Sequence, residues 1–150
     1  MYYIKTIMKN TILKSLEYTF YFSIIVLIIL YLFPGSLIGY LLYGNLSYQP
    51  TLIANPIGTS INHLIFFSYI TALALITRLR IKNIFNNFKV ILFASCILEI
   101  SHLIVPNRAF EINDLIANIV GVVIVLLINY FVKWSKSCLL YTSPSPRDNR

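Results

Sequence analysis

Ionisable side chains gather in one otherwise apolar part of this 150-residue chain, beginning with Glu99 and His102. Arg108 and Asp114 follow a short distance along the chain. A carboxylate beside an imidazole can move a proton, and a guanidinium offers a planar fork that binds phosphate or carboxylate groups. These residue types predict a site that holds an anion, either by binding alone or with acid/base catalysis.

Helical spacing places the same side chains on two faces that can meet. Glu99 and His102 are three residues apart and share one face of a helix. Asp114 and Asn118 are four residues apart and share a face of the next helix. The connection that carries Arg108 folds the second helix back on the first. We therefore expect two polar stripes to meet beneath one arginine.

These residues also have structural interpretations. Glu99 can pair with Arg108 or His102 and fix the helix packing, although an acid inside a membrane is functional by default. His102 can be a buried histidine with satisfied hydrogen bonds, or it can relay a proton beside Glu99. Arg108 can extend its charge to the membrane interface without binding a ligand.

The remaining candidates have simpler structural roles. Asp114 can cap the N-terminus of the last helix, where its charge meets the helix dipole. One interhelical hydrogen bond would account for Asn118. His63, from an earlier apolar segment, becomes a functional candidate only if it meets Glu99. Gly121 predicts the close approach of another helix backbone.

The spacing Glu99-x-x-His102 matches half of the carboxylate-bridged motif of metal-binding helix bundles. The sequence contains no second copy of that motif. We therefore predict no metal ion and no cofactor. The sequence also lacks Walker A, G-x-S-x-G and H-E-x-x-H motifs, so it suggests no familiar nucleotide or hydrolase chemistry.

The composition places this polar group in a membrane. Hydrophobic residues make up 58% of the chain and charged residues only 11%, whereas about a quarter of a soluble domain is charged. A chain of this composition could not cover a globule with polar groups. The predicted partner is the lipid bilayer, and the predicted location is the cell membrane, with several crossings.

Four long apolar segments predict an all-α polytopic protein. Each is close to the roughly 20 residues that cross a hydrocarbon core as a helix. They are rich in Ile and Val, but an open sheet cannot satisfy its edge in lipid, so helices are favoured. The predicted transmembrane domain covers residues 1–137, with helices at about 16–43, 61–79, 88–105 and 114–133.

The last residues differ abruptly from the rest of the chain. Residues 138–150, CLLYTSPSPRDNR, are rich in Ser, Pro and Arg. The first eleven of them resemble the in-frame translation of a widely used sequencing adapter. We treat residues 138–150 as a non-native tail and exclude them from the fold.

Basic residues predict the orientation in the membrane. Nine lie on one side of the predicted helices, namely Lys5, Lys9, Lys14, Arg78, Arg80, Lys82, Lys89, Lys133 and Lys136. Outside the tail, Arg108 alone lies on the other side. The positive-inside rule then predicts four transmembrane helices with both termini in the cytoplasm. These charges flank helices and form no aromatic-interleaved patch, so nucleic acid is not a predicted partner.

The polar residues also carry a resemblance to a known family. The pattern E-x-x-H-x-x-x-P-x-R-x-x-E-x-x-D-x-x-x-N-x-x-G over 99–121 resembles the signature of VanZ-like membrane proteins, roughly E-x-x-Q-x-x-x-P-x-R-x-x-x-x-x-D-x-x-x-N-x-x-G. Upstream, SINHLIFF at 60–67 resembles the family's D-K-x-x-H-F segment, and His63 matches its histidine. Two positions depart from the family. His102 stands where Gln is usual, and Thr59-Ser60 stand where Asp-Lys is common.

The resemblance implies a cell-envelope membrane protein, because the founding member of the family is associated with low-level resistance to the antibiotic teicoplanin. It assigns no reaction. Two functions stay open. In the first, Arg108 holds a lipid-linked phosphate or a peptide carboxylate of the envelope, and Glu99, His102 and Asp114 surround it. In the second, the polar residues only hold the bundle together, and the protein is a structural or transporter-partner subunit.

Overall fold

The chain forms a bundle of helices. The computed structural model describes the backbone of residues 2–78, 84 and 87–141, and the side chains of residues 10–78, 84 and 87–138. These residues contain five α-helices: α1 (Tyr2–Leu32), α2 (Leu37–Tyr43), α3 (Ser60–Thr77), α4 (Phe88–Ser101) and α5 (Ile112–Tyr141). No described residue belongs to a strand. The predicted all-α class is confirmed.

Three of the helices are long and apolar enough to cross a bilayer. Within the described residues these segments are Asn10–Leu32, Ser60–Thr77 and Ile112–Cys138, with 23, 18 and 27 residues. Many of their large apolar side chains face outward, as Phe22 and Ile128 do. Lipid can cover such a surface, and a helix satisfies its own backbone there. The three helices agree with the predicted membrane protein.

The segment predicted to cross as residues 88–105 is an α-helix only over Phe88–Ser101, which is 14 residues. The helical turns then become narrower, with hydrogen bonds to the third preceding residue. His102 N–H donates to Glu99 O at 3.1 Å, and the next two N–H groups also donate to carbonyls three residues back. This tightening leads into Pro106, whose ring disfavours the α conformation in the preceding residue. The segment therefore stays helical for a few residues beyond the end of α4, but with a 3₁₀-like geometry.

The first predicted helix, 16–43, is two helices rather than one. Pro34 has no N–H to continue the ladder of α1, and Gly35 adopts a left-handed conformation (φ 80°) that turns the chain. Ser36 then starts α2, because its hydroxyl accepts from Gly39 N–H at 3.0 Å. The short helix α2 thus lies beside the end of α1 instead of extending it.

Two helices extend beyond their apolar segments. The helix α1 begins at Tyr2 rather than near residue 16, and α5 covers Ile112–Tyr141 rather than 114–133. Lysine is a good helix former, so polar residues next to an apolar helix continue its backbone. The residues 138–141 of the predicted tail continue α5, and 142–150 lie outside the described residues.

The helix α3 is the centre of the bundle, because it packs against α1, α4 and α5. Its closest neighbour is α5. A Cβ atom at Gly121 would lie only 2.6 Å from Leu64 O, and the Gly121 carbonyl accepts from Ser68 Oγ at 3.1 Å. The predicted close backbone approach at Gly121 is confirmed. The apolar core beside it consists of Phe20, Leu27, Phe67, Ile70, Leu73, Ala74, Ile91 and Val122, with the ring of Tyr31.

The helices α1 and α4 run antiparallel to α3 and α5, which are parallel to each other. The C-terminal ends of α1 and α4 meet the N-terminal ends of α3 and α5, where Tyr31, Glu99, His63 and Asp114 approach one another. The polar residues therefore collect at one end of the bundle. The basic residues Arg78, Lys89, Lys133 and Lys136 lie near the opposite helix ends. Arg80, Lys82 and the side chains of Lys5 and Lys9 lie outside the described residues.

Candidate functional site

Arg108 is positioned by the broken end of α1. In an uninterrupted helix the Leu30 carbonyl would accept from the N–H of residue 34, but Pro34 has no N–H. Arg108 Nη2 takes this place and donates to Leu30 O at 2.7 Å. The loop that delivers the arginine turns at Asn107, which has a positive φ of 57°. A cation at this point also meets the negative end of the α1 dipole.

Arg108 does not pair with the buried acids. Among the described side chains, none of its nitrogens lies within ion-pair distance of Glu99 or Asp114, so the pairing of Glu99 with the arginine that the sequence allowed is not formed. Burial lowers the pKa of the half-buried Arg108 from its usual range, but a guanidinium keeps its charge near neutral pH. Its buried Nε has no hydrogen-bond partner in the described part of the chain. Arg108 therefore offers a cation with a free donor.

His63 connects α3 to three other helices at the centre of the cluster. Its Nε2 lies 3.2 Å from Asp114 Oδ2, and its Nδ1 lies 2.7 Å from the Tyr31 hydroxyl. The Glu99 Oε2 atom is 3.8 Å from the same Nδ1. The sequence made His63 a functional candidate only if it met Glu99, and the structure brings the two side chains together.

Glu99 is completely buried, with 0% of its surface exposed. Its Oε1 lies 3.3 Å from His102 Nδ1 and accepts from the Glu111 N–H at 3.3 Å. That N–H immediately precedes α5, where backbone donors have no helical partner. The other oxygen, Oε2, has no hydrogen-bond partner among the described residues. A buried carboxylate oxygen without a donor is costly, so the acid is only half satisfied by its own chain.

His102 stacks on the ring of Tyr31, with ring centroids 5.1 Å apart and planes inclined by 16°. It is 3% exposed. One ring nitrogen faces Glu99, and the other, Nε2, has no partner within the described residues. The ring can therefore still donate a hydrogen bond to a ligand, or accept one, on its second side.

Asp114 lies in the first turn of α5, close to the positive end of the helix dipole, as predicted. Its carboxylate does not cap that helix. Instead Oδ1 accepts from Ser60 Oγ at 2.5 Å, and Oδ2 faces His63. The reason is the parallel packing of α3 and α5, which places the N-terminal turns of the two helices side by side. The side chain thus joins two helices.

Two residues of the site were missed by the sequence reasoning. Tyr31 donates to Asn118 Oδ1 at 3.1 Å and contacts His63, yet it is one of 11 tyrosines in an aromatic-rich chain and no pattern distinguishes it. Ser60 was noted only as a departure from the family pattern, and it is a buried partner of Asp114. The predicted interhelical hydrogen bond of Asn118 is present, and its Nδ2 is buried without a partner in the described residues.

A cavity of about 150 Å³ opens beside the cluster. The polar part of its lining, called the polar wall here, consists of Tyr31, His63, His102 and Arg108 with Ser36, Gln49 and Asn62. The apolar part of the lining includes Leu27, Leu30, Leu37, Ile38 and Phe66. Glu99, Asp114 and Asn118 do not line the cavity but lie behind this polar wall. The predicted site residues therefore form two layers, of which the histidines and Arg108 are the reachable one.

Comparison of this chain with models of protein families, with characterised proteins and with solved structures gave no match.

Proposed function

We propose that the chain is a VanZ-like membrane protein with four transmembrane helices and both termini in the cytoplasm. The polar cluster supports the family, because the residues of the signature gather at one end of the bundle although they come from different helices. The α4 segment supports the fourth crossing. Its 14 residues extend about 21 Å, and the following tight turns add roughly 6 Å at 2.0 Å per residue, close to a hydrocarbon core of about 30 Å.

Cysteine accessibility tests this topology. In a background with Cys96 and Cys138 replaced by serine, a membrane-impermeant maleimide applied to intact cells is expected to label Asn107→Cys and not Arg78→Cys. Both positions are exposed, Arg78 directly after α3 and Asn107 in the connection between α4 and α5, but the proposal places them on opposite sides of the membrane. Permeabilised cells should give labelling at both positions. Labelling of Arg78→Cys in intact cells would contradict the proposed orientation.

The site binds the anionic headgroup of an amphipathic envelope component. The observation that carries this proposal is the mixed lining of the cavity, which combines Arg108 and two histidines with several leucines. A cavity of about 150 Å³ is about the size of one that binds benzene, so it fits a phosphate or carboxylate and the first few carbons but not a whole lipid chain. The remaining chain would extend along the outward apolar faces of the helices.

Arg108 is the residue that decides the sign of the bound charge. Arg108 and His102 both line the cavity. Arg108 Nε and His102 Nε2 have no hydrogen-bond partner among the described residues, and phosphate oxygens accept several hydrogen bonds at once. The acids Glu99 and Asp114 stay behind the polar wall. In this arrangement Glu99 positions His102, because its Oε1 is 3.3 Å from His102 Nδ1.

A binding experiment tests the role of Arg108. Purified protein in detergent is titrated with a polyisoprenyl phosphate, and binding is followed by native mass spectrometry. We expect Arg108→Gln to weaken binding about tenfold or more, since a charged hydrogen bond contributes roughly 1.5–3 kcal/mol. The matched control Arg78→Gln removes an exposed arginine at the other end of the bundle and should bind like the wild type. Equal binding by both variants, or none by the wild type, would refute the phosphate-lipid ligand.

The second candidate function is a structural or transporter-partner subunit. The hydrogen bonds that favour it join α3 to α5 through Ser60 and Asp114, and α1 to α5 through Tyr31 and Asn118. Teicoplanin susceptibility separates the two functions in cells that express the wild type, Glu99→Gln or Arg108→Lys. The ligand proposal expects each variant to lose the protective effect at an unchanged protein level. Loss of the protein level alone would favour the structural subunit.

A further inference from the structure

We propose that His63, Glu99 and Asp114 bind a divalent transition-metal ion, for which Zn²⁺ is the best match. One donor atom of each side chain lies within 4.8 Å of a donor atom of the other two. All three residues are buried, with 7%, 0% and 5% of their surfaces exposed. They come from three different helices, so no spacing along the chain predicts this group. It is also distinct from the pair Glu99-x-x-His102, because His63 replaces His102 as the imidazole.

The hydrogen bonds around His63 leave a lone pair pointed at a carboxylate. Asn118 Oδ1 can only accept, so the Tyr31 hydroxyl donates its proton there at 3.1 Å. The Tyr31 oxygen then accepts from His63 Nδ1–H at 2.7 Å. A neutral imidazole with its proton on Nδ1 has a lone pair on Nε2. That atom faces Asp114 Oδ2 at 3.2 Å, and two acceptors repel each other unless a proton or a metal ion lies between them.

A metal ion satisfies both acceptors and uses the existing contacts as its outer layer. Histidine ligands usually donate their second ring N–H to a neighbouring group, which fixes the orientation of the ring. Tyr31 already provides that partner for Nδ1. Ser60 in turn donates to the Asp114 oxygen that does not face His63. The ligand Nε2 and the oxygen Oδ2 are therefore held in place by hydrogen bonds to their own side chains.

Glu99 supplies the third ligand. Its unpartnered carboxylate oxygen is a second observation, separate from the geometry of His63 and Asp114, that points to a bound cation. This oxygen, Oε2, is fully buried and has no hydrogen-bond donor among the described residues. It lies 3.8 Å from His63 Nδ1, and the donor atoms of the three side chains lie within 4.8 Å of one another. Arg108 forms no ion pair with Glu99 in the described structure. With His63 and His102 in their neutral forms, two buried carboxylates have no positive charge beside them, and a divalent ion would neutralise both.

The donor set selects the ion. Imidazole with carboxylates suits Zn²⁺ and other divalent transition metals, whereas Mg²⁺ and Ca²⁺ prefer oxygen donors alone. Donors on a tetrahedral Zn²⁺ at about 2.0–2.2 Å lie roughly 3.4 Å from one another, so the three side chains need to move together by about 1 Å. The ion has a way in, because His63 also lines the cavity.

The test measures metal in the full-length protein, purified in detergent with an affinity tag that contains no histidine. Elemental analysis and competition with a chromophoric chelator are expected to find one Zn²⁺ per chain. Glu99→Gln and His63→Ala should weaken Zn²⁺ binding at least about 100-fold, because each removes a ligand. The matched control Glu111→Gln makes the same acid-to-amide change at an exposed position and should keep the ion.

A second comparison guards against variants that fail to fold. His63→Cys restores a metal-binding atom at the same position and should bind Zn²⁺ where His63→Ala does not. In the wild type, chelation should lower the midpoint of thermal unfolding, and added Zn²⁺ should restore it. Absence of saturable Zn²⁺ binding by the wild type, or unchanged binding by Glu99→Gln, would overturn the proposal. Because no lipid is added, that result would leave the proposed phosphate ligand of Arg108 untouched.

Discussion

Replacing Gly121 with valine is expected to lower the free energy of unfolding by about 3 kcal/mol, the upper end of the usual range for overpacking. The first added atom would lie 2.6 Å from Leu64 O and 3.1 Å from Ser68 N. These are backbone atoms, which cannot rotate away as a side chain can. The helices α3 and α5 must therefore separate, and Ser68 loses its hydrogen bond to the Gly121 carbonyl. Thermal unfolding in detergent, monitored by size-exclusion chromatography, measures this loss of stability.

The control for this substitution is Val123→Leu. Val123 lies in the same helix with 41% of its surface exposed, so a larger side chain there extends into lipid or detergent. We expect its free energy of unfolding to stay within about 0.5 kcal/mol of the wild type. A Gly121→Val protein as stable as this control would show that α3 and α5 do not approach closely at Gly121.

Removing the Tyr31 hydroxyl, in Tyr31→Phe, should cost about 3 kcal/mol of stability. The hydroxyl is the partner of both His63 Nδ1 and Asn118 Oδ1. Both groups are buried, and each buried group without a partner costs roughly 1–3 kcal/mol. The ring and its stacking on His102 remain, so the loss reports the hydrogen bonds alone. Chemical unfolding of the purified protein gives the free energies.

A double-mutant cycle identifies the interaction behind this loss. In an Asn118→Ala background the hydroxyl has only His63 to satisfy, so Tyr31→Phe should cost about 1 kcal/mol less than in the wild type. Tyr43→Phe is the matched control, since Tyr43 is 62% exposed, and it should change stability very little. Strictly additive losses in the cycle would mean that Tyr31 and Asn118 are not coupled.

The position of Arg108 shows where sequence reasoning stopped. The sequence placed a guanidinium near the acids, and attraction between opposite charges suggested an ion pair. The structure instead directs it to Leu30 O, because Pro34 leaves that carbonyl without its helical donor. Only the folded structure brings Arg108 to the free carbonyl of another helix, and the residue spacing around Arg108 does not predict that contact.

Composition and helical spacing by themselves determined that this is an all-α chain with long apolar helices, since lipid allows few other ways to satisfy a backbone. They also determined that Glu99 and His102, and Asp114 and Asn118, share helix faces. Only the tertiary structure decided that Tyr31, Ser60 and His63 complete the cluster, and that the acids lie behind the cavity wall. The reason is physical: periodicity fixes which side of a helix a residue occupies, whereas the rotation and depth at which helices meet depend on packing, such as the close contact at Gly121.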